Sequence, residues 1–183
     1  PLGIIVAIGR LSKVKLISKI TELYIWVMRG TPLMLQIVFV FFGLPIVGVI
    51  FDRFTAVLIA FILNYAAYFA EIFRGGINSI DKGQVEAAKV LKLSKSTTYF
   101  GIILPQVFKT VFPSLGNELI NLVKDTSLVY VLGLGDILRA AKTLSNKDAS
   151  LIPLFIAGAA YLIFIAILTL VLRKVESRLE YYR

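Results

Sequence analysis

Long apolar runs separated by short, mostly basic connections fill the whole 183-residue chain. Four of them are long enough to cross a ~30 Å hydrocarbon core as helices. Leu33 to Ile50 follows Thr31-Pro32, where proline suits a first helical turn. Phe54 to Phe73 is separated from it only by Phe51-Asp52-Arg53. Thr110 to Leu132 is less purely apolar, and Ile152 to Leu172 ends cleanly at Arg173-Lys174. A fifth run, Leu2 to Gly9, turns basic at Arg10. As a helix it reaches only about 14 Å, so it reads as a span cut short, with residues missing upstream. The pattern predicts an all-α integral membrane bundle of about five transmembrane helices, forming one domain over residues 1–183. Between Gly133 and Asp148, the spacing of Ile137, Leu138, Ala140, Ala141 and Leu144 predicts a short amphipathic helix on the membrane surface. It is either a plain surface helix or part of a gate.

Composition narrows the chemistry. Hydrophobic residues make up 58%, against about 45–50% in soluble domains, and the mean hydropathy is +0.85. Cysteine and histidine are both absent, which excludes disulfides, thiolate chemistry, Cys/His zinc sites and a histidine general base. The net charge of +9 does not point to nucleic acid, because no stretch joins basic and aromatic residues on a polar surface. Threading the spans alternately explains the charge better. Fifteen of the 20 basic residues then share one side: five up to Arg29, six from Arg74 to Lys109, and four from Arg173 onward. The other side receives Arg53, Arg139, Lys142 and Lys147. Basic residues gather in cytoplasmic loops, which puts the polar insert at 81–105 and the C-terminus in the cytoplasm.

That insert carries a helix signal from Asp81 to Leu93, with acidic residues early, alanines in the middle and lysines late, matching the helix dipole. Ser94 is placed to cap a second helix running through Thr97, Tyr99 and Ile103 to Pro105. Two short helices parallel to the membrane would transmit a push from a docked partner. Glu86 would offer that partner a fixed charge, and Ala87 and Ala88 would permit close approach.

The insert resembles the EAA loop of ABC-importer permeases, in which Glu-Ala-Ala is followed by three residues, Gly, nine residues, Ile, any residue and Leu-Pro. Glu86, Ala87, Ala88, Ile102, Leu104 and Pro105 match in register, and Lys92 stands at the glycine position. A glycine there favours a left-handed turn, and lysine in that conformation costs about 1 kcal/mol. Arg29-Gly30-Thr31-Pro32-Leu33, Ala67 through Ile77, and Lys124-Asp125-Thr126-Ser127-Leu128 are similar to segments of the polar amino-acid uptake permeases. The similarity runs from Gly3 to about Arg178.

The resemblance implies a type I importer fold, a bacterial cytoplasmic membrane and a second permease subunit, identical or a sister chain. It also implies an extracytoplasmic solute-binding protein and a separate ATPase that carries the ATP and Mg. No phosphate-binding glycine loop lies in this chain itself. Glu86, Ala87, Ala88, Lys92, Leu104 and Pro105 become the expected ATPase-coupling residues.

Polar groups at membrane depth are costly, so each is a candidate for function. On the third span Asn64, Tyr68, Glu71 and Gly75 share an arc of about 60°, and on the fourth Asn117, Glu118, Asn121, Lys124 and Asp125 share about 120°. Facing each other, these arcs would line a path for a zwitterion, with Asn64, Tyr68, Glu71, Asn117, Glu118 and Asn121 as candidate substrate contacts. Alternatives remain open for each. Glu71 has Arg74 one turn away, Lys124 and Asp125 can neutralise each other, and the asparagines can tie helices together. Glu118 has no basic residue at its i±3 or i±4 positions. Gln36 reads as interfacial, and Trp26, Tyr24, Tyr99 and Tyr181-Tyr182 as interfacial anchors.

Three carboxylates against one Lys124 lean toward a basic amino acid such as arginine, lysine or histidine. The expected function is therefore ATP-driven import of polar amino acids, basic ones by this lean, by alternating access. An ion-coupled carrier or channel would use Glu118 as a cation site but leaves the insert's pattern unexplained. An intramembrane enzyme lacks a facing carboxylate pair at catalytic spacing.

Overall fold

The computed structural model describes residues 1–180. Among these, eight α-helices are joined by short 3-10 and π-helical segments, with no strand. The long α4 (Arg53–Asn78) is the central post, about 39 Å in length, and α1 (Leu2–Arg10), α2 (Lys15–Gly30), α3 (Leu33–Val38) and α6 (Leu104–Asp125) pack against it. It starts at Asp52, whose carboxylate accepts the N–H groups of Phe54 at 3.0 Å and Thr55 at 3.1 Å. Small residues let its neighbours approach closely, as they do between membrane helices. A Cβ on Gly3 of α1 would sit 2.7 Å from Phe69 Cβ, and one on Gly76 would sit 2.2 Å from Val111 Cγ1 of α6. Ala60, Ala67 and Ala70 are almost wholly buried along the same post. The Tyr24 hydroxyl donates to the Leu63 carbonyl at 2.5 Å. Tyr24 thus ties α2 to α4 instead of anchoring an interface, whereas Trp26 is exposed. Tyr181-Tyr182 lie outside the described residues.

Helices α4 and α8 (Ile152–Glu180) are long and apolar enough to cross a membrane, and α2 with Leu33–Val47 forms a pair bent by 106°. Two expected spans differ from uniform helices. The one from Leu33 passes from α to π (Phe39–Gly43) to 3-10 geometry (Leu44–Val47) and ends at Gly48, short of Ile50. The π segment stops two residues before Pro45, and a second one (Thr97–Ile103) stops two residues before Pro105. Proline supplies no N–H to the carbonyl four residues back and crowds it, and widening the preceding turn relieves both problems.

The span expected from Thr110 to Leu132 begins earlier and tightens at its far end. Helix α6 continues directly from the π segment and gives way to a 3-10 stretch, Thr126–Leu132. There the Thr126 and Ser127 hydroxyls donate to the Val123 and Lys124 carbonyls, competing with the backbone ladder. The surface helix predicted near Ile137 forms as α7 (Ile137–Asp148), capped by Asp136 and packed on α8.

Candidate functional site

Pro32 explains the local architecture of the candidate pocket. It has no N–H for the carbonyl of Met28, four residues earlier, and it holds Thr31 extended at φ −120°, ψ 145°. Helix α2 therefore stops and the chain turns sharply into α3. The orphaned Met28 carbonyl is taken up by two amides: Gln36 Nε2 donates to it at 2.9 Å and Asn64 Nδ2 at 3.0 Å. Asn64 Nδ2 also donates to Gln36 Oε1 at 3.0 Å, and Gln36 Nε2 donates to Thr31 Oγ1 at 2.7 Å. Gln36, expected at the interface, is thus half-buried and built into the hydrogen-bonded frame of the bend.

Beside this bend lies a cavity of roughly 580 Å³. Its walls come from the α2–α3 turn, from Asn64, Tyr65 and Tyr68 of α4, and from Glu118, Asn121 and Asp125 of α6. Of the six expected substrate contacts, Asn64, Tyr68, Glu118 and Asn121 are brought together here. Asn64 lines the wall with its amide nitrogen already committed to the bend.

Two expected contacts are elsewhere. Asn117 is exposed and does not line the cavity, being 100° around the helix from Glu118. Glu71 gives both carboxylate oxygens to Arg74, at 2.8 Å from Nε and Nη2. It faces a second cavity of roughly 420 Å³.

Asp125, already on the expected arc of the fourth span, also lines the wall, and the structure adds Arg29 and Tyr65. The Tyr65 hydroxyl donates to Asp125 Oδ2 at 2.8 Å, across from α4 to α6. Asp125 is therefore held by Tyr65, while the neighbouring Lys124 is exposed and outside the cavity. The Arg29 guanidinium stands 5.2 Å from the centre of the Tyr68 ring, a cation–π distance. The cavity's charges are thus Glu118 and Asp125 from α6 and Arg29 from the end of α2. Carboxylates and a guanidinium from different helices are chemically complementary to a molecule with separate ammonium and carboxylate groups.

At one end of α4, the expected coupling residues form a rigid corner. Helix α5 (Lys82–Val90) is capped by Asp81, which accepts the Gly83 N–H at 2.8 Å. It closes with two reversed bonds, Lys92 N–H to the Lys89 carbonyl and Leu93 N–H to the Ala88 carbonyl, both 3.0 Å. This is the Schellman arrangement, which needs a left-handed residue, and Lys92 supplies it at φ 53°. The turn expected of a glycine is therefore made by lysine.

Ser94 accepts the Thr97 N–H at 3.0 Å, as a cap should. The second helix is not a separate element, however: it is the π segment that runs on through Leu104 and Pro105 into α6. Gln84 and Gln106 exchange two amide hydrogen bonds, at 2.9 and 2.8 Å, fastening α5 to the root of α6. Glu86, Ala87, Leu104 and Pro105 are exposed. Ala88 is only 2% exposed and packs within the chain, so it is not open to a partner. Val90 and Phe100, 81% and 71% exposed, add apolar surface to the same insert that sequence reasoning passed over.

A helical membrane protein with a charged cavity against its central helix and a rigid, exposed helix corner has the build of a transport permease. Comparison with known proteins gives the family. Residues 1–181 match the family described as "Binding-protein-dependent transport system inner membrane component", and the chain belongs to it. The arginine transport system permease protein ArtQ of Bacillus subtilis is 42% identical over 181 residues, covering 98% of this chain and 83% of that one. The putative glutamine transport system permease protein GlnP of Rickettsia felis is 38% identical, covering 97% and 83%. The L-cystine transport system permease protein TcyB of Bacillus subtilis is 37% identical, covering 99% and 78%. A solved structure described as "Crystal structure of an amino acid ABC transporter with histidines" superposes with a TM-score of 0.88 at 34% identity, covering 97% of this chain and 83% of that chain. The chain is an ABC-importer permease of the type I fold, a membrane transport subunit rather than an enzyme. As such it works with an ATPase and a binding protein.

Proposed function

We propose that this permease moves amino acids with a cationic side chain, and that the cavity between Arg29 and Glu118 holds the substrate during transport. The observation that carries the reading is the charge layout: Arg29 would take the α-carboxylate, and Glu118 and Asp125 the ammonium and the side-chain cation. Two carboxylates against one arginine leave a net negative pocket once the substrate carboxylate is bound. The 42% identity to an arginine permease supports the same choice, while the glutamine and cystine permeases among its relatives make it a matter for measurement.

Transport would proceed by alternating access. ATP and Mg would bind on the partner ATPase, whose closure pushes on the exposed face around Glu86, Val90 and Phe100. The Gln84–Gln106 clasp would carry that push into α6, which bears Glu118 and Asp125. The basic-residue asymmetry supports a cytoplasmic location for this corner and for the C-terminus, with the binding protein on the opposite face of a bacterial cytoplasmic membrane. A second permease chain, identical or related, would complete the pathway.

ATPase activity of the reconstituted complex, titrated with single amino acids in the presence of the binding protein, tests the reading. Stimulation by arginine or lysine, abolished by Glu86→Lys, is the expected result. Uptake driven by an ion gradient with no associated ATPase would refute it.

A further inference from the structure

Arg29 belongs to the walls of two cavities at once. One is the pocket beside Glu118. The other lies about one helical turn along α4 and is lined by Arg10, Glu22, Glu71 and Arg74, with Trp26 beside them. Charges in this second cavity alternate in sign, and most are held by their neighbours. Arg10 Nη2 is 2.9 Å from Glu22 Oε1, and its Nη1 donates to Ser18 Oγ at 2.9 Å. Glu71 is gripped at both oxygens by Arg74.

Arg29 is the loose member. Its Nη1 stands 3.7 Å from Glu71 Oε2, beyond hydrogen-bond length, and its guanidinium rests on the Tyr68 ring, which supplies no hydrogen-bond acceptor in the plane of the fork. A planar guanidinium with uncommitted donors is suited to a carboxylate. The carboxylate beside it, Glu71, is already largely neutralised.

We infer that the second cavity is a release subsite for the same zwitterion, and that Arg29 carries the substrate carboxylate from the first cavity to the second. The inference rests on the amino-acid pocket proposed above. While substrate occupies the first cavity, Arg29 stays over Tyr68 and grips its carboxylate. When the pocket tightens, Arg29 swings toward Glu71, and the substrate follows into a chamber whose arginines and glutamates repeat the complementary pattern. Glu71 then takes back Arg29 as Arg10 and Arg74 draw off the carboxylate. Position 71 thus sets how readily the substrate leaves, not how tightly it first binds.

The test uses the permease–ATPase complex in proteoliposomes with radiolabelled arginine, and radiolabelled glutamine in parallel. The double variant Glu71→Arg/Arg74→Glu keeps the i,i+3 ion pair but sets a cation before Arg29. A purely structural pair would tolerate the exchange. Handover predicts equilibrium affinity within about threefold of wild type and ATP-driven uptake slower by about tenfold or more. Uptake within about twofold of wild type would overturn it.

If the double variant does not assemble with the ATPase, Glu22→Gln decides. That change leaves the Glu71–Arg74 pair intact but frees Arg10 from its partner, so that Arg10 holds the substrate carboxylate longer; reduced uptake at unchanged affinity supports the handover, whereas unchanged uptake overturns it. A wild-type complex that transports but retains neither amino acid would sink the pocket and this inference with it. Retention together with normal uptake by the double variant would sink the handover alone.

Discussion

Replacing Lys92 by glycine should tighten the end of α5 by a calculable amount. Lys92 sits at φ 53° and closes a Schellman motif with two 3.0 Å bonds. A side chain in this left-handed region costs about 1–2 kcal/mol. Glycine removes that cost, but it adds about 0.5–1 kcal/mol of backbone freedom to the frayed state. The net gain is about 0.5–1 kcal/mol, which slows local opening by about two- to fivefold. Lys92→Val runs the other way, because a β-branched residue at positive φ is a true outlier. About 1 kcal/mol of added strain would speed opening about fivefold. Hydrogen exchange of the Lys92 and Leu93 amides, followed by mass spectrometry of the protein in nanodiscs, reads these changes directly. The predicted order of protection is glycine above lysine above valine. Equal protection in all three would mean that the backbone is not under strain at this residue.

Gln84→Ala and Gln106→Ala should each destabilise α5, with a coupling energy of about 1–2 kcal/mol in a double-mutant cycle read by exchange of α5 amides, because the two bonds are shared. Gly76→Ala should cost about 1–3 kcal/mol by overpacking against Val111, seen as a lower thermal midpoint for the purified complex. Asp52 accepts hydrogen bonds from Thr55 and Phe54 at the start of α4, and the Thr55 side chain and backbone hold its carboxyl below the usual carboxylate range. A depressed folded pKa stabilises above the unfolded pKa and is lost as pH falls through the folded value. Thermal stability should therefore fall in the acid range, below the ordinary carboxylate pKa, and Asp52→Asn should make that fall smaller.

The apolar runs made α4 and α8 legible, because a membrane helix must satisfy its backbone internally and announces itself by length. The left-handed corner was legible too, through the match of Lys92 to a glycine position, and so was the Ser94 cap. Helical arcs placed Tyr68, Glu118 and Asn121 on a common wall because α4 and α6 stay regular there. They misplaced Asn117, since a wide arc does not say where its edge lies. The frame role of Gln36 and the place of Arg29 in the cavity wall were hidden for one reason: the 106° bend at Thr31-Pro32 folds a seemingly peripheral segment back against α4. Asn64 shows the limit of reading polarity as function, because the Pro32 that breaks α2 also creates the carbonyl that Asn64 must satisfy. Glu71 was ambiguous in sequence, and only the folded helix shows its bidentate contact with Arg74.

The most direct test of the central claim is the amount of radiolabelled arginine held at equilibrium by the purified permease–ATPase complex, for wild type and for Glu118→Gln. One arginine per permease chain is expected, with affinity weakened by about 10- to 100-fold in the variant, as follows from loss of a charged partner. Equal retention by both proteins, or none by a wild type that still transports arginine, would contradict a substrate site between Arg29 and Glu118.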